Sequence, residues 1–116
     1  MNKREIGFEK EKIAAEFLKK CGYKILESNF RAKCGEIDII AKDKKVLVFI
    51  EVKYRSSANF VPPAEAVNVK KQRKIIKTSF IYMRKNRIFD ADFRFDIVSI
   101  LGDKIEVIES AFTAPA

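Results

Sequence analysis

Gly35-Glu36-Ile37-Asp38-Ile39-Ile40 is followed after a short polar turn by Val46-Leu47-Val48-Phe49-Ile50-Glu51-Val52-Lys53-Tyr54. Together they read as two apolar strands, Glu36 to Ala41 and Val46 to Tyr54, joined by Lys42-Asp43-Lys44-Lys45 at hairpin length. Side chains alternate along a strand, so Glu36, Asp38 and Ile40 share one face of the first, and Leu47, Phe49, Glu51 and Lys53 share one face of the second. Two hairpin registers are open. A turn centred between Asp43 and Lys44 pairs Glu36 with Glu51 and leaves Asp38 diagonal to it; a shift of two residues sets Asp38 directly opposite Glu51. Either gathers three carboxylates and a lysine on one face. A shift of one residue scatters them, against the hydrophobic pattern.

Charge among Ile, Val and Phe needs an offset, because an unpaired buried carboxylate costs several kcal/mol. Adjacent carboxylates repel unless one is protonated or a cation bridges them. Oxygen donors without His or Cys suit Mg2+ or Mn2+, and Lys53 can orient a water or stabilise an oxyanion. The set fits hydrolysis of a phosphodiester; the competing reading is an acid–lysine ladder at a sheet edge.

Outward from this hairpin, residues 8–21 predict a helix with Ile13, Ala14, Phe17, Leu18 and Cys21 on its apolar arc and Gly22 ending it. Glu11 falls at the edge of that arc, whereas Glu9 and Glu16 point away. Tyr23 to Phe30 reads as a first strand, with Tyr23, Ile25 and Phe30 inward, and Ser28-Asn29 loosening its end. The strand Val46 to Tyr54 is apolar on both faces, as a central strand is. Pro62-Pro63 sets a helix N-terminus with Glu65 in its first turn, and a long helix runs to about Lys85, capped by Asn86. Its apolar arc holds Ile75, Ile76, Ser79, Phe80 and Met83. Phe93 to Leu101 and Lys104 to Ile108 are further strands about Gly102-Asp103, and the tail frays after Phe112. The order α-β-β-β-α-β-β predicts one mixed α/β domain, residues 1–116, around a single sheet.

The 116 residues carry a net charge of +8, with 24 Lys and Arg against 16 Asp and Glu. This favours a polyanionic partner, either nucleic acid or an acidic membrane surface, with a soluble protein of a Lys-rich proteome as the plainer reading. The absence of histidine excludes His-dependent triads and His metal sites. Cys21 and Cys34 lack metal-ligand spacing and read as free buried thiols of a reducing cytosol, with a disulfide between them as the alternative. No apolar leader or membrane-length window is present, so the expected location is cytoplasmic.

Eight basic residues and no acidic one lie between Lys70 and Arg87. Lys70, Arg73, Lys74 and Lys77 make a candidate phosphate-binding face, with a solvated helix face as the alternative. Lys71, at the boundary of the apolar arc, is a phosphate contact or a solvated lysine. Gln72 either approaches the acidic cluster or is satisfied by backbone. Arg31 and Arg55 flank the acidic strands as further phosphate contacts. Asp96, between Phe95 and Ile97, reads as structural. Tyr54 and Phe60 are candidates for stacking on bases, with core packing as the plainer reading.

Asp38, then Glu51-Val52-Lys53, resembles the D-(x)n-(D/E)-x-K signature of the PD-(D/E)XK nuclease superfamily. The surrounding Gly35 to Ala41 and Leu47 to Arg55, with Gly22-Tyr23-Lys24-Ile25-Leu26, Asn29-Phe30-Arg31, Pro63-Ala64-Glu65-Ala66-Val67, Lys71-Gln72 and Arg94-Phe95-Asp96-Ile97-Val98, resemble the YraN-like family of small bacterial endonuclease-like proteins. The resemblance covers nearly the whole chain. It implies a restriction-endonuclease-like fold akin to Holliday-junction resolvases. It implies Mg2+ (or Mn2+) held by Asp38, Glu51 and the main-chain carbonyl of Val52, Lys53 as a catalytic residue, and Glu11 as a further acid and candidate metal ligand; Glu36, on the same strand face as Asp38, is expected to support the site alongside Glu11. It also implies a DNA partner, branched DNA included, and a homodimer, with no organic cofactor and no membrane. Lys10 and Phe60-Val61 depart from the glycines usual before the helix glutamate and ahead of the proline. The readings that compete with an endonuclease are a non-catalytic nucleic-acid-binding protein of the same fold and a module whose acidic face binds a protein.

Overall fold

The computed structural model describes residues 2–55 and 67–114. The elements are α1 (Lys3–Lys20), β1 (Lys24–Ala32), β2 (Gly35–Asp43), β3 (Val46–Arg55), α2 (Val69–Lys85), β4 (Phe93–Leu101) and β5 (Lys104–Phe112). This is the predicted order. The strands form one sheet in the sequence β1-β2-β3-β4-β5. Neighbours are antiparallel except β3 and β4, which run parallel. A parallel pair needs a crossover, and α2 lies within that connection.

Each face of the sheet carries a helix and its own core. On one side α2 contributes Ile75, Ile76, Tyr82 and Met83 against Phe30, Ile40, Phe49 and Phe95. On the other, α1 lays Ala14 and Leu18 over Tyr23, Ile39, Val48, Ile50 and Val98. The central β3 is covered by both, so its run from Leu47 to Val52 is buried throughout, Glu51 included.

Local chemistry sets the ends. Asn2 caps α1 by accepting the Glu5 N–H at 2.9 Å. Gly22, at φ 95°, closes it with Gly22 N–H to Lys19 and Tyr23 N–H to Leu18 carbonyls. Asn86 caps the end of α2 as expected, its side chain donating to the Tyr82 carbonyl at 2.9 Å.

Several expectations need correction. The helix α1 begins five residues earlier than the periodicity predicts, at Lys3 rather than 8. Ile13 is 38% exposed and Cys21 is exposed, because the sheet meets only the narrow stripe of Ala14 and Leu18. Cys21 is therefore no buried thiol; Cys34 is half-buried, with Sγ 3.4 Å from Thr78 Oγ1, and both are free. Phe30 is inward but on the α2 face, opposite Tyr23, with an irregularity in β1 between Ile25 and Glu27. The long helix starts at Val69, with Asn68 as its cap, because Val67 and Asn68 are not helical. The Pro62-Pro63 and Glu65 expectations, and Phe60, lie outside the described residues. On α2, Thr78 and Tyr82 take the buried places and Phe80 is exposed. The strand β5 extends to Phe112 rather than Ile108. Tyr54 is 39% exposed instead of packed in the core. Among the described residues, no helix is long and apolar enough to cross a membrane.

Candidate functional site

The loop between β2 and β3 is only Lys44 and Lys45, with Lys44 at φ 57°. The ladder runs from Asp43↔Val46 to Ile39↔Ile50. This is the shifted register, which sets Asp38 opposite Glu51; the Asp43–Lys44 centre fails because Asp43 is already in the strand. The ladder stops where the acids begin. Asp38 Oδ2 instead accepts the Val52 N–H at 2.8 Å. On the other edge of β2, Asn29 adopts φ 54° between the pairs Ser28↔Ile39 and Phe30↔Ile37. The sheet is thus loosened on both sides of Asp38.

Into this gap α1 projects Glu11, beside Asp38 and Asn29. Among the described residues its Oε1 is buried with no hydrogen-bond partner, and so is Asn29 Oδ1. One carboxylate oxygen from each of Glu11, Glu36 and Asp38 lies within 4.8 Å of the others. Asp38 and Glu51 also line a cleft of about 450 Å³ beneath the start of α2, together with Glu36, Asn68, Lys70, Lys71 and Lys74. Gly35 lets α2 approach this closely: a Cβ there would lie 3.1 Å from Thr78 Oγ1 and 3.3 Å from Lys74 Cβ.

The electrostatics follow from this crowding. Burial pushes Asp38 up to about 7, against the Val52 N–H, which favours the charged form; the Glu11 charge adds to the rise. Burial likewise pushes Glu51 up to about 7, with Asp38 adding to the effect and Lys71 opposing it. Glu11 is raised chiefly by burial, against the polar groups of Asp38 and Asn29 beside it, and the charges of Glu36 and Glu51 add to the rise. Burial acts against the Lys71 ammonium, yet its bond to Glu51 and the surrounding acids hold it above the ordinary lysine range. Acids this close share a proton or a cation. Hard oxygen donors with an orphaned buried oxygen among them fit Mg2+ or Mn2+.

The sequence-derived residues divide as follows. Glu11, Glu36 and Asp38 come together. Glu51 faces the same cleft, but its Oε1 is held by Lys71 Nζ at 2.8 Å. Val52 contributes its N–H to Asp38. Lys53 is half-buried, beside Ser99 in the β3–β4 ladder, and its charge lowers the proton affinity of Glu51. Arg31 lies 3.4 Å from Glu36, and with Lys33 and Lys74 it borders a second depression adjoining the cleft. Arg55 is half-buried, its carbonyl accepting the Gly102 N–H at 3.1 Å. Lys70 and Lys74 rim the cleft, whereas Arg73 and Lys77 are exposed along α2. Gln72 takes the backbone alternative, its Nε2 donating to the Val67 carbonyl at 2.9 Å. Asp96 is structural, fully buried and bonded to Arg94. Sequence reasoning did not find the Lys71–Glu51 pair or the place of Asn29 beside Glu11. The signals were the place of Lys71 at the boundary of the apolar arc and a strand end loosened at Ser28-Asn29.

A family model described as "Uncharacterised protein family UPF0102" matches residues 10–100. A UPF0102 protein of Caldanaerobacter subterraneus subsp. tengcongensis is 49% identical over 100 residues, covering 86% of this chain and 82% of its own. One from Clostridium botulinum strain Kyoto is 46% identical over 116 residues, covering 94% of each. Another, from Caldicellulosiruptor saccharolyticus, is 44% identical over 110 residues, covering 94% of this chain and 93% of its own. The resemblance drawn from the hairpin and its surroundings therefore holds, and the chain belongs to the YraN-like family UPF0102.

Proposed function

We propose that the protein is a Mg2+- or Mn2+-dependent DNA endonuclease, acting on branched DNA among its substrates. The observation that carries this reading is the convergence of Glu11, Glu36 and Asp38, with Glu51 in the adjoining cleft, under a basic rim of Lys70 and Lys74. Glu11, Glu36 and Asp38 would hold the cation, which supplies Lewis acidity toward a phosphodiester and acidifies water. The Val52 N–H fixes the orientation of Asp38. Lys53, on the strand end beyond Glu51, brings positive charge to the reacting phosphate. Arg31, Lys70 and Lys74 bind flanking phosphates around the acidic centre. The net charge of +8 draws the polyanion in. A homodimer would supply the two sites that junction cleavage needs.

The test is cleavage of labelled four-way and linear DNA with Mn2+ or Mg2+. Wild type should cut only with the cation, and Asp38→Ala and Lys53→Ala should each lose about 10²-fold or more in rate. Salt-dependent binding with no cleavage of any substrate would instead favour the non-catalytic binding protein. Absence of DNA binding even at low salt would favour the protein-interaction module.

A further inference from the structure

The basic rim of the acidic cleft is one end of a stripe that runs the length of α2. Lys70, Arg73, Lys77, Phe80 and Arg84 follow one another at alternating steps of three and four, so they share one helix face. All five are exposed. Lys70 rims the cleft. Phe80 and Arg84 line a separate depression of about 350 Å³, together with Ile88, Phe89 and Phe93. At about 1.5 Å of rise per residue, Lys70 and Arg84 lie about 21 Å apart along the helix.

This second depression is aromatic where the first is acidic. Phe89 is 79% exposed, more than any other large apolar side chain among the described residues, and Phe80 is 44% exposed. Neither hangs on a loose chain. Phe80 meets Phe93 edge-on at 5.9 Å. Phe89 follows a closed helix end, where Ile88 N–H donates to the Met83 carbonyl at 2.8 Å and Arg87 N–H to the Arg84 carbonyl at 3.1 Å. Ile88 packs against the α2 core, anchoring the chain next to Phe89. Arg87 stands at φ 54°, where a glycine would be free of strain, and puts a cation two residues from the ring.

We propose that Phe80 and Phe89 form a stacking platform for unpaired bases of DNA, and that the basic stripe of α2 leads the strand to it from the acidic cleft. This rests on the DNA reading above and names the substrate class: DNA with a single-stranded segment, about six phosphates from the cut at duplex spacing. An exposed ring offers a face to any base, and a neighbouring arginine adds charge to the contact. Eight basic residues and no acidic one lie between Lys70 and Arg87, and neither Asp90 nor Asp92 lines the depression. The same charge opposes a second copy as the occupant, because a twofold contact would bring the Lys77 and Arg84 of both copies together.

The test is binding of fluorescein-labelled oligothymidylate, and of an abasic strand with the same phosphates, by anisotropy on the full chain in EDTA, which removes cleavage from the readout. Wild type should prefer the base-bearing strand by about tenfold. Phe89→Ala should lose most of that preference with unchanged affinity for the abasic strand, and Phe89→Trp should restore it. Arg84→Ala should weaken both strands alike and reduce the slope of log affinity against log salt by about 0.7. Equal binding of the two strands by wild type, or an equal loss on both in Phe89→Ala, would overturn the inference and leave the DNA reading standing. So would a Phe89→Ala protein that binds both strands as wild type does and differs only in sedimentation, which would mark the patch as a contact between copies. No binding of either strand at low salt would overturn both readings. A base preference lost in Phe89→Ala supports the inference whether or not Mn2+ brings cleavage, which tests the endonuclease reading alone.

Discussion

Asp96 and Asp38 are both acids held within the same sheet, on opposite faces, and they are treated in opposite ways. Asp96 is fully buried. Arg94 Nε donates to both its oxygens at 3.0 and 3.2 Å, the Tyr23 hydroxyl to Oδ2 at 3.3 Å and the Ser110 N–H to Oδ1 at 3.0 Å. Arg94 is further tied to Tyr23 and Asp43 at 2.7 and 2.9 Å. Burial together with the Asp96 charge pushes the Tyr23 hydroxyl up to about 12. Among the described residues, Asp38 has one N–H donor, a neighbouring acid in Glu11, and a buried oxygen on that acid without a partner. Each site sits beside a strand residue of positive φ. Ser110, at φ 50°, turns its N–H onto Asp96; Asn29, at φ 54°, is left with an orphaned oxygen beside Glu11. Burial of an acid therefore does not by itself mark a functional site. The two differ in how completely their partners are supplied, and the incomplete set is what makes Asp38 the candidate.

The largest difference expected between the two concerns stability. Asp96→Ala strands Arg94 in a buried network and should destabilise the fold by about 3–5 kcal/mol. Asp38→Asn relieves acid–acid repulsion and should leave the metal-free protein at least as stable as wild type. Urea denaturation of both variants without divalent ions measures this, and an equal loss in the two would erase the distinction.

The next effect is one of pH. Asp38 rises from 3.8 and Glu51 from 4.5, both to about 7, on folding. Between about pH 4 and about pH 7 the unfolded chain gives up protons that the folded one keeps. Metal-free stability should be fully present below that window and fall as pH rises through it. Urea midpoints across this range should show the fall in wild type, and Asp38→Asn should flatten it.

A smaller effect is expected at Gly35. The Cβ of Gly35→Ala would press on Thr78 and Lys74 and force β2 from α2, costing about 1–3 kcal/mol and weakening Mn2+ binding in the same variant. The smallest concerns the rim. Lys74→Ala should lower DNA affinity modestly and reduce the slope of log affinity against log salt by about 1.

The hairpin was legible because period-two alternation leaves few ways to place Glu36, Asp38 and Glu51. Its register was open until the turn was known, since Asp43 fits a strand end or a loop equally well. Glu11 could be placed because a helix wheel separates it from Glu9 and Glu16. The partners of these acids were not legible. Lys71 lies twenty residues beyond Glu51, and only the packing of α2 over Gly35 brings them together. Asn29 required a departure from regular strand geometry, which alternation does not forecast. The exposure of Ile13 and Phe80 was missed for a related reason. A helix pattern gives the direction of the apolar arc, whereas the width of the arc covered depends on the sheet beneath.

The most direct test is the melting temperature of wild type and Asp38→Asn at pH 7.5, with and without Mn2+. If Glu11, Glu36 and Asp38 form a cation site, Mn2+ raises the wild-type value and leaves Asp38→Asn unchanged. Equal shifts in the two proteins, or no shift in wild type, would contradict it.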